Sequence, residues 1–461
     1  MEYGTQQIPR DKREYGFLDT LFTWFGSGVN TGSWYFGGMA AALGMTFVWQ
    51  YSFIYLPLMM IPWAMVAWIG YKHGASTVAS TIPSLGVKGA RLMGIGEFVG
   101  LIGWPSINTY IAAISLSYVF NAMFGWPVHS APGGTWTLLA GIVTTAVLQG
   151  VTVVYGQAAI KYLEWIAVAL LLVLGIWETM VVLQHWDYAK IANFTLPQGQ
   201  QKTPQFFIDL AFGFCWGWAM ICDFSRLAKN GTSATLGSWL GVNIGQGWFM
   251  TVGAIGVIGV VLDTGVFDPN NSDPSSIIAS LGMGIVAFLV VFFATISTNI
   301  TVLYGSAMGL VGATRSTNPR KFLIFIALLQ LAMCFLPLMF KHFVEYFEFV
   351  LGIVGGIFIP LWTLVVVDYF LIRKCRVRDD DIFAKEDSRG RTLSAFGDWN
   401  ANGWIAMVVG LAVYFILAYG MKDVAAQYTA SLPSAAITAV LYIVLSWVRG
   451  LAGQRTATES A

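Results

Sequence analysis

Two adjacent hydroxyl side chains, Ser297 and Thr298, lie in the middle of the long apolar run VVFFATISTN. A buried hydroxyl most often donates a hydrogen bond to the carbonyl four residues earlier in its own helix. Two neighbouring hydroxyls, together with the carbonyl of Ala294, also offer oxygen ligands of the kind that small hard cations bind. The pattern therefore indicates either helix-internal hydrogen bonds or a cation site, and the sequence leaves both interpretations open.

Two other stretches interrupt apolar runs with glycines and small polar side chains. They read WFGSGVNTGS at 24–33 and FGFCWGW at 212–218, and their positions correspond if the chain contains two repeats of five spans. Paired interruptions are typical of discontinuous transmembrane helices, whose unwound carbonyls and helix ends hold a substrate and an ion at mid-membrane. Close packing of helices through small residues is the alternative explanation.

The composition shows that the elements carrying these residues lie in a membrane. Of the 461 residues, 56% are hydrophobic and only 11% are charged, whereas soluble domains have about 25% charged residues. The formal net charge of +1 gives no field that would attract a polyanion. A soluble enzyme, a nucleic-acid-binding protein and a disordered scaffold are therefore excluded.

Twelve segments are apolar and long enough to cross about 30 Å of hydrocarbon as helices. The predicted spans cover 19–48, 53–71, 92–121, 136–156, 162–184, 205–222, 236–262, 276–310, 321–340, 343–372, 401–420 and 428–448. With a cytoplasmic N-terminus, 21 of the 25 Lys and Arg residues fall in cytoplasmic segments, as the positive-inside rule requires. We therefore predict a multi-pass protein of the cell membrane with both termini in the cytoplasm.

The chain shows no constellation for enzyme chemistry or for a structural metal. Its four cysteines and four histidines are scattered, without a C-x-x-C pair or a cluster at metal-ligand spacing. We expect reduced thiols that serve in packing, and no metal or organic cofactor other than a coupling ion.

Two acidic residues, Glu97 and Asp209, lie inside predicted spans. Charged groups are costly there, so each is a functional candidate by default and a candidate for proton coupling. Asp209 also fits a position in water at the outer end of its span, and Glu97 fits a capping role at a cytoplasmic helix end. Both alternatives stay open.

Four motifs together carry a resemblance to a known family. They are WFGSGVN at 24–30, DFSRLAKN at 223–230, STN at 297–299 and VDYFLIRK at 367–374. With them the chain resembles the nucleobase:cation symporter-1 family, which includes cytosine, purine and hydantoin permeases, over nearly its whole length. The resemblance implies an all-α integral membrane fold like that of the leucine transporter. That fold has two inverted five-helix repeats and two further C-terminal helices.

The implied organisation divides the chain into six parts. They are a cytoplasmic tail (1–18), a first repeat (19–184), a second repeat (205–372), a cytoplasmic loop (373–400), two further spans (401–448) and a cytoplasmic tail (449–461).

The resemblance also implies a sodium site. In sodium-coupled members, carbonyls of the broken first helix and hydroxyls of the eighth helix bind one Na+. The matching oxygens belong here to Gly26, Val29, Ala294, Ser297 and Thr298. The hydroxyl pair by itself is compatible with either Na+ or H+.

The resemblance further implies a binding site for a flat heterocycle. The aromatic rings that clamp it in the family come from helices 3 and 6 and match Trp104 and Phe214. Amides that contact the ring edge match Asn30 and Asn108, and Gly213 would expose backbone groups to the same edge. Stacking contributes about 1–3 kcal/mol per base, and an amide can offer both a donor and an acceptor.

Four residues depart from what the family pattern would suggest, among them Ile300 and Thr301, where cytosine permeases carry further polar side chains. Pro105 directly follows Trp104 and is expected to kink the third span. Leu303 stands where hydantoin permeases carry an amide. The substrate is therefore not named by the motifs.

The expected function is secondary active import of a cytosine-, purine- or uracil-type nucleobase, or a related heterocycle, with a cation, preferably Na+. The partners are then the heterocycle, the ion and the bilayer, without nucleic acid, and no oligomer is implied. The alternative is a proton-coupled transporter of allantoin, hydantoin or a vitamin precursor. A receptor that signals through 373–400 is a hypothesis of another class, but that loop contains no recognisable domain.

Overall fold

The computed structural model describes residues 6–155, 157–196, 202–269, 272–316, 318–383 and 393–459, with the backbone alone at 157–165 and 449–459. In these ranges the chain is helical and contains no β-strand. Eleven described helices are long and apolar enough to cross a membrane. They are Met45–His73, Val87–Phe124, Gly134–Val153, Ile166–His185, Pro204–Ser225, Ser233–Thr264, Ile285–Thr314, Arg320–Met339, Phe343–Ile372, Ala401–Gly420 and Ser431–Val448.

The twelfth predicted span is the first one in the chain. It is not among these eleven helices because it is interrupted. It consists of two helices, Phe17–Gly28 and Thr31–Ala40, with Val29 and Asn30 between them. The Asn30 side chain caps the second helix by accepting a hydrogen bond from the backbone N–H of Ser33 at 2.8 Å. Because this cap satisfies a backbone N–H group at the start of the second helix, the chain can leave helical geometry inside the bundle.

The sixth span is also interrupted, but later than its first glycine suggests. Its helix runs over Pro204–Trp216 and resumes at Ile221–Ser225, so the break lies at 217–220. The run FGFCW is thus helical, and only the second glycine of the motif, Gly217, lies in the break.

The third span has a joint immediately before Pro105. Its two helices are Val87–Ile102 and Trp104–Phe124, with Gly103 between them. A proline lacks the N–H that would continue the helical ladder. The helix is therefore interrupted next to Trp104, at the position where the kink was expected.

The long predicted span 276–310 divides into two elements. A short helix, Pro274–Ser280, precedes the span Ile285–Thr314. Gly282 and Gly284 separate them with φ values of +66° and +81°, a region that glycine adopts at little cost.

The interior of the bundle is formed by the third, sixth, seventh, eighth and tenth spans. Between 72% and 89% of their apolar windows are buried, against 28% and 22% for the eleventh and twelfth spans. Small residues permit the closest approaches, since a Cβ on Gly37 of the first span would overlap the carbonyl of Met250 in the seventh. The interrupted sixth span therefore lies among the most buried spans, and in the first span all ten residues of the second helix are buried.

The described parts of the loop 373–400 pack onto the end of the bundle. Asp379 Oδ1 and His73 Nδ1 form a hydrogen bond of 2.6 Å, and Ile382 is buried beside Val78. Residues 384–392, 1–5 and 460–461, which belong to the predicted loop and tails, lie outside the described residues.

Candidate functional site

A small enclosed cavity lies where the first, third, sixth and eighth spans meet. Its walls are Asn30, Trp104, Asn108, Phe214, Gly217, Trp218, Thr298 and Val302. The volume open to the centre of a water molecule is about 10 Å³, which is room for about one water. Its side chains must therefore separate before a heterocycle can enter.

Four of the five predicted substrate residues line this cavity, and Gly213 does not. Gly213 lies inside the helix, where a Cβ would overlap the carbonyl oxygen of Leu351 in the tenth span. Its role in this structure is close helix packing. Gly217 takes the place in the wall, and a Cβ there would come within 2.7 Å of Val354 Cγ1.

The two predicted clamp rings touch each other edge to face. The ring centroids of Trp104 and Phe214 are 5.2 Å apart at an interplanar angle of 84°. A flat ligand between two rings needs parallel planes about 7 Å apart, twice the van der Waals contact distance. One ring would therefore have to rotate for a flat ligand to fit between them.

The Asn30 amide is already engaged by the break in the first span. Its Nδ2 donates to the carbonyls of Ser27 at 2.6 Å and Gly28 at 3.3 Å, and its Oδ1 accepts from Ser33. Only a second lone pair on Oδ1 remains available to a ligand. Asn30 thus offers an acceptor, and not the donor and acceptor that its residue type suggests.

The Asn108 amide, like that of Asn30, has its nitrogen engaged and its oxygen available to a ligand. Its Nδ2 donates to Asn299 Oδ1 at 2.9 Å, while its buried Oδ1 has no partner among the described residues. A Cβ on Gly32 would lie 3.0 Å from Asn30 Oδ1 and 3.5 Å from Asn108 Oδ1. The two oxygens therefore flank Gly32, a position whose role the sequence did not reveal.

The carbonyls of Gly26 and Val29 are left free by the break in the first span. In a continuous helix they would accept from the backbone N–H groups of Asn30 and Ser33. Those groups instead donate to the Gly28 carbonyl at 3.0 Å and to Asn30 Oδ1. Neither carbonyl accepts a hydrogen bond from any described residue, so both oxygens are available to a cation.

The break in the sixth span differs, because side chains donate to several of the carbonyls in and beside it. Trp362 Nε1 donates to the Trp216 carbonyl at 3.0 Å, and Trp63 Nε1 donates to the Trp218 carbonyl at 2.9 Å. Thr77 Oγ1 donates to the Ala219 carbonyl at 3.1 Å. Within the described residues this break leaves the Gly217 carbonyl without a hydrogen bond, whereas the break in the first span leaves two carbonyls.

The Ser297 and Thr298 hydroxyls do not make the helix-internal hydrogen bonds that were the alternative to a cation site. Thr295, in the same helix, donates to the Val291 carbonyl at 2.8 Å, and Thr301 donates to the Ser297 carbonyl at 3.4 Å. Within the described chain, neither Ser297 nor Thr298 has a side-chain hydrogen bond. Both hydroxyls are therefore free to bind another group.

A contact between Thr31 and Thr295, with their hydroxyl oxygens 3.4 Å apart, joins the first break to this segment of the eighth span. Thr295 directly follows Ala294, and Thr31 lies two residues after Val29. The structure thus brings the two predicted sources of sodium ligands side by side, and Thr298 also lines the cavity.

Asp209 lies away from the cavity and caps the start of the twelfth span. Its two carboxylate oxygens accept from the backbone N–H groups of Ala430 at 2.7 Å and Ser431 at 2.8 Å. Fixed N–H donors stabilise a carboxylate at a helix N-terminus. These bonds support a structural role and give no support to proton coupling.

Replacing Asp209 by asparagine is expected to lower the stability of the protein by about 1–2 kcal/mol, because one of the two backbone N–H groups then faces an amide nitrogen. The pH dependence of uptake should not change. Thermal melting in detergent and uptake at several external pH values measure the two effects. A variant that melts like the unmodified protein but no longer responds to external acid would assign Asp209 to coupling.

Two other carboxyl groups are buried without a partner in the described structure. Glu97 is 3% exposed and Glu178 is fully buried, and neither hydrogen-bonds through either oxygen. Neither lines the cavity. Glu178 was not among the candidates predicted from the sequence, although it lies inside the fifth span just as Glu97 lies inside the third.

Comparisons with known proteins agree with this architecture. A family model described as "Permease for cytosine/purines, uracil, thiamine, allantoin" matches residues 7–445. The purine-uracil permease NCS1 of Arabidopsis thaliana is 25% identical over 433 residues, which cover 87% of this chain and 68% of that protein. The allantoin permease of Bacillus subtilis is 24% identical over 440 residues, covering 89% and 86% of the two chains.

Solved structures share the fold. Mhp1, a nucleobase-cation-symport-1 family transporter in a closed conformation with bromovinylhydantoin bound, superimposes with a TM-score of 0.73 at 18% identity. The match covers 97% of this chain and 94% of that one. A Na+-coupled sialic acid symporter in a substrate-bound outward-open state gives a TM-score of 0.64 at 13% identity, covering 96% and 90%. The expected leucine-transporter-like, all-α fold is confirmed.

Proposed function

The chain belongs to the family of permeases for cytosine/purines, uracil, thiamine and allantoin, and we propose that it imports a nucleobase or related heterocycle together with Na+ by alternating access. It is a multi-pass membrane transporter and not an enzyme. The heterocycle is held between Trp104 and Phe214, with Asn30 and Asn108 at its edge. The supporting observation is that these four side chains line one cavity beside unsatisfied oxygens of the first and eighth spans.

Coupling of the ion to the substrate follows from residues that lie in, or next to, both the ion site and the substrate cavity. The ion is held by the carbonyls of Gly26, Val29 and Ala294 and by the hydroxyls of Ser297 and Thr298. Val29 directly precedes Asn30, which lines the cavity, and Thr298 lines it as well. A bound ion therefore orders the break that positions the substrate amide, so that each ligand raises the affinity for the other.

Import against a gradient is energetically feasible with one coupled charge. Each positive charge moved inward contributes about 2.3 kcal/mol per 100 mV, which corresponds to roughly 50-fold accumulation. We place both termini in the cytoplasm and the protein in the cell membrane, supported by the 21 of 25 cations in the segments assigned to that side. The repeats in this proposal are 19–184 and 205–372.

Uptake into proteoliposomes tests the proposal. Labelled cytosine, uracil, hypoxanthine, allantoin and hydantoin are each offered with an inward Na+ gradient and with an equal K+ gradient, using protein-free liposomes as the control. Uptake of at least one ring that depends on Na+ is expected. If the folded protein takes up none of the five rings under either gradient, the proposal is wrong.

A second candidate function is proton-coupled transport of allantoin, hydantoin or a vitamin precursor. The observation that favours it is the unpartnered, buried carboxyl group of Glu97. An acid-outside pH step that drives uptake without Na+, and a Glu97→Gln variant that abolishes this response, would establish it.

A further inference from the structure

A chain of four buried amide side chains runs from the cavity through the bundle. Its members come from the third, eighth, fourth and ninth spans, and each is at most 3% exposed. They are Asn108, Asn299, Gln149 and Gln330. An amide has a donor end and an acceptor end, so hydrogen bonds between amides transmit a direction from one side chain to the next.

The direction is fixed at Gln330. Its Nε2 lies 2.7 Å from the carbonyl oxygen of Ala146 and 3.1 Å from that of Ala327. A carbonyl oxygen can only accept, so this end of the side chain must be the nitrogen. The opposite end, Oε1, must then accept, and it does so from Gln149 Nε2 at 2.8 Å.

The remaining links follow in the same sense. Gln149 Oε1 accepts from Asn299 Nδ2 at 2.7 Å. The same Asn299 nitrogen lies 3.4 Å from the carbonyl of Pro105, a second backbone acceptor that requires this orientation. Asn299 Oδ1 then accepts from Asn108 Nδ2 at 2.9 Å, which leaves Asn108 Oδ1 as the unpartnered end at the cavity.

Asn30 is fixed in the same way by other backbone groups. The carbonyls of Ser27 and Gly28 require its nitrogen on their side, and the Ser33 N–H requires its oxygen on the other. Both amides beside Gly32 therefore present oxygen and cannot turn over without setting oxygen against oxygen.

We infer that the cavity selects heterocycles whose edge carries ring N–H donors for these two oxygens, and that Asn299, Gln149 and Gln330 are positioning residues that hold Asn108 in this orientation. The inference rests on the proposed function and narrows its substrate class. Rings with two N–H groups, such as uracil, dihydrouracil and hydantoin, satisfy both oxygens. A ring that offers a bare nitrogen or a CH2 at that edge leaves a buried acceptor unpaired.

Pairs of rings that differ in one N–H test the selection in the unmodified protein. Glutarimide is dihydrouracil with one N–H replaced by CH2, and succinimide is related to hydantoin in the same way. Each is measured as a competitor of the best substrate of the uptake panel, together with the N3-methyl derivatives that remove the other N–H. We expect the ring lacking an N–H to bind about 10-fold or more weakly, since a site built to hydrogen-bond a donor rejects its isostere.

The Asn299→Leu variant tests the positioning role, because the Asn108 amide then loses the acceptor that fixes its orientation and can turn over. The measured quantity is the affinity for dihydrouracil divided by the affinity for glutarimide, each obtained by competition. A general loss of folded protein does not change this ratio. This ratio should fall to about half of its original value or less, since two equally populated amide orientations halve the fraction that presents oxygen. Thr145→Val is the matched control, since among the described residues the buried Thr145 hydroxyl bonds to the Gly141 carbonyl of its own helix and to no other group.

The outcomes separate the two hypotheses. If rings are transported but the members of each pair compete equally, the selection for N–H donors is wrong and the proposed function stands. An unchanged ratio in Asn299→Leu, with the N–H preference present in the unmodified protein, overturns the positioning role. If no ring binds, the proposed function fails and this inference fails with it.

Discussion

Replacing Ser297 by alanine is expected to raise the Na+ concentration for half-maximal uptake by about 10- to 150-fold. The hydroxyl is unpaired within the described structure and is one of five oxygens assigned to the ion, and a bond to a charged group contributes about 1.5–3 kcal/mol. Ser297 does not line the cavity, so uptake at saturating Na+ should largely recover. Initial rates of substrate uptake over a range of Na+ concentrations, with ionic strength held constant, measure the change.

Thr301→Val is the control for this prediction. Thr301 lies one turn later on the same buried helix, and its hydroxyl is engaged by the Ser297 carbonyl. Its Na+ dependence should remain close to that of the unmodified protein. A Ser297→Ala protein with unchanged Na+ dependence would remove the hydroxyl from the ion site.

Replacing Trp104 or Phe214 by alanine is expected to weaken substrate affinity by about 5- to 150-fold. Each ring would stack on one face of the heterocycle, and stacking on an aromatic side chain contributes about 1–3 kcal/mol per base. Trp104→Phe keeps a π-face and should retain most of the affinity. Competition binding with the best substrate of the panel, at saturating Na+, gives the constants.

Phe347→Leu distinguishes a clamp from general packing around Trp104. The Phe347 ring contacts Trp104 edge to face, with centroids 6.4 Å apart, but is not part of the cavity wall. It should leave the affinity within about 3-fold of the original value, as a conservative change in packing does. Equal losses in Phe347→Leu and Phe214→Ala would mean that the aromatic cluster is structural.

The membrane architecture was predictable because it depends on composition and local pattern. The apolar segments gave twelve spans, and the glycine-rich stretches near Asn30 and Gly217 gave two interruptions. The sixth break was placed too early because Gly213 and Gly217 look alike in the sequence. Only contact with the Leu351 carbonyl shows that Gly213 serves helix packing.

The polarity of the site was not predictable because it depends on distant partners. Asn108 receives its orientation from a side chain 191 residues away, and Gln149 from one 181 residues away. The residue type alone suggests that an asparagine offers both a donor and an acceptor. Asp209 is similar, since the N–H groups that it caps lie 221 and 222 residues later in the chain.

The central claim is that one site couples the heterocycle to Na+, and substrate-driven sodium movement tests it most directly. Proteoliposomes are prepared with equal Na+ inside and outside, at zero membrane potential, and receive radioactive Na+ and an inward gradient of the best substrate. We predict that the substrate drives net entry of radioactive Na+, and that Ser297→Ala abolishes this entry at low Na+. Substrate entry without Na+ movement, accompanied instead by acidification of the interior, would contradict the account and establish proton coupling.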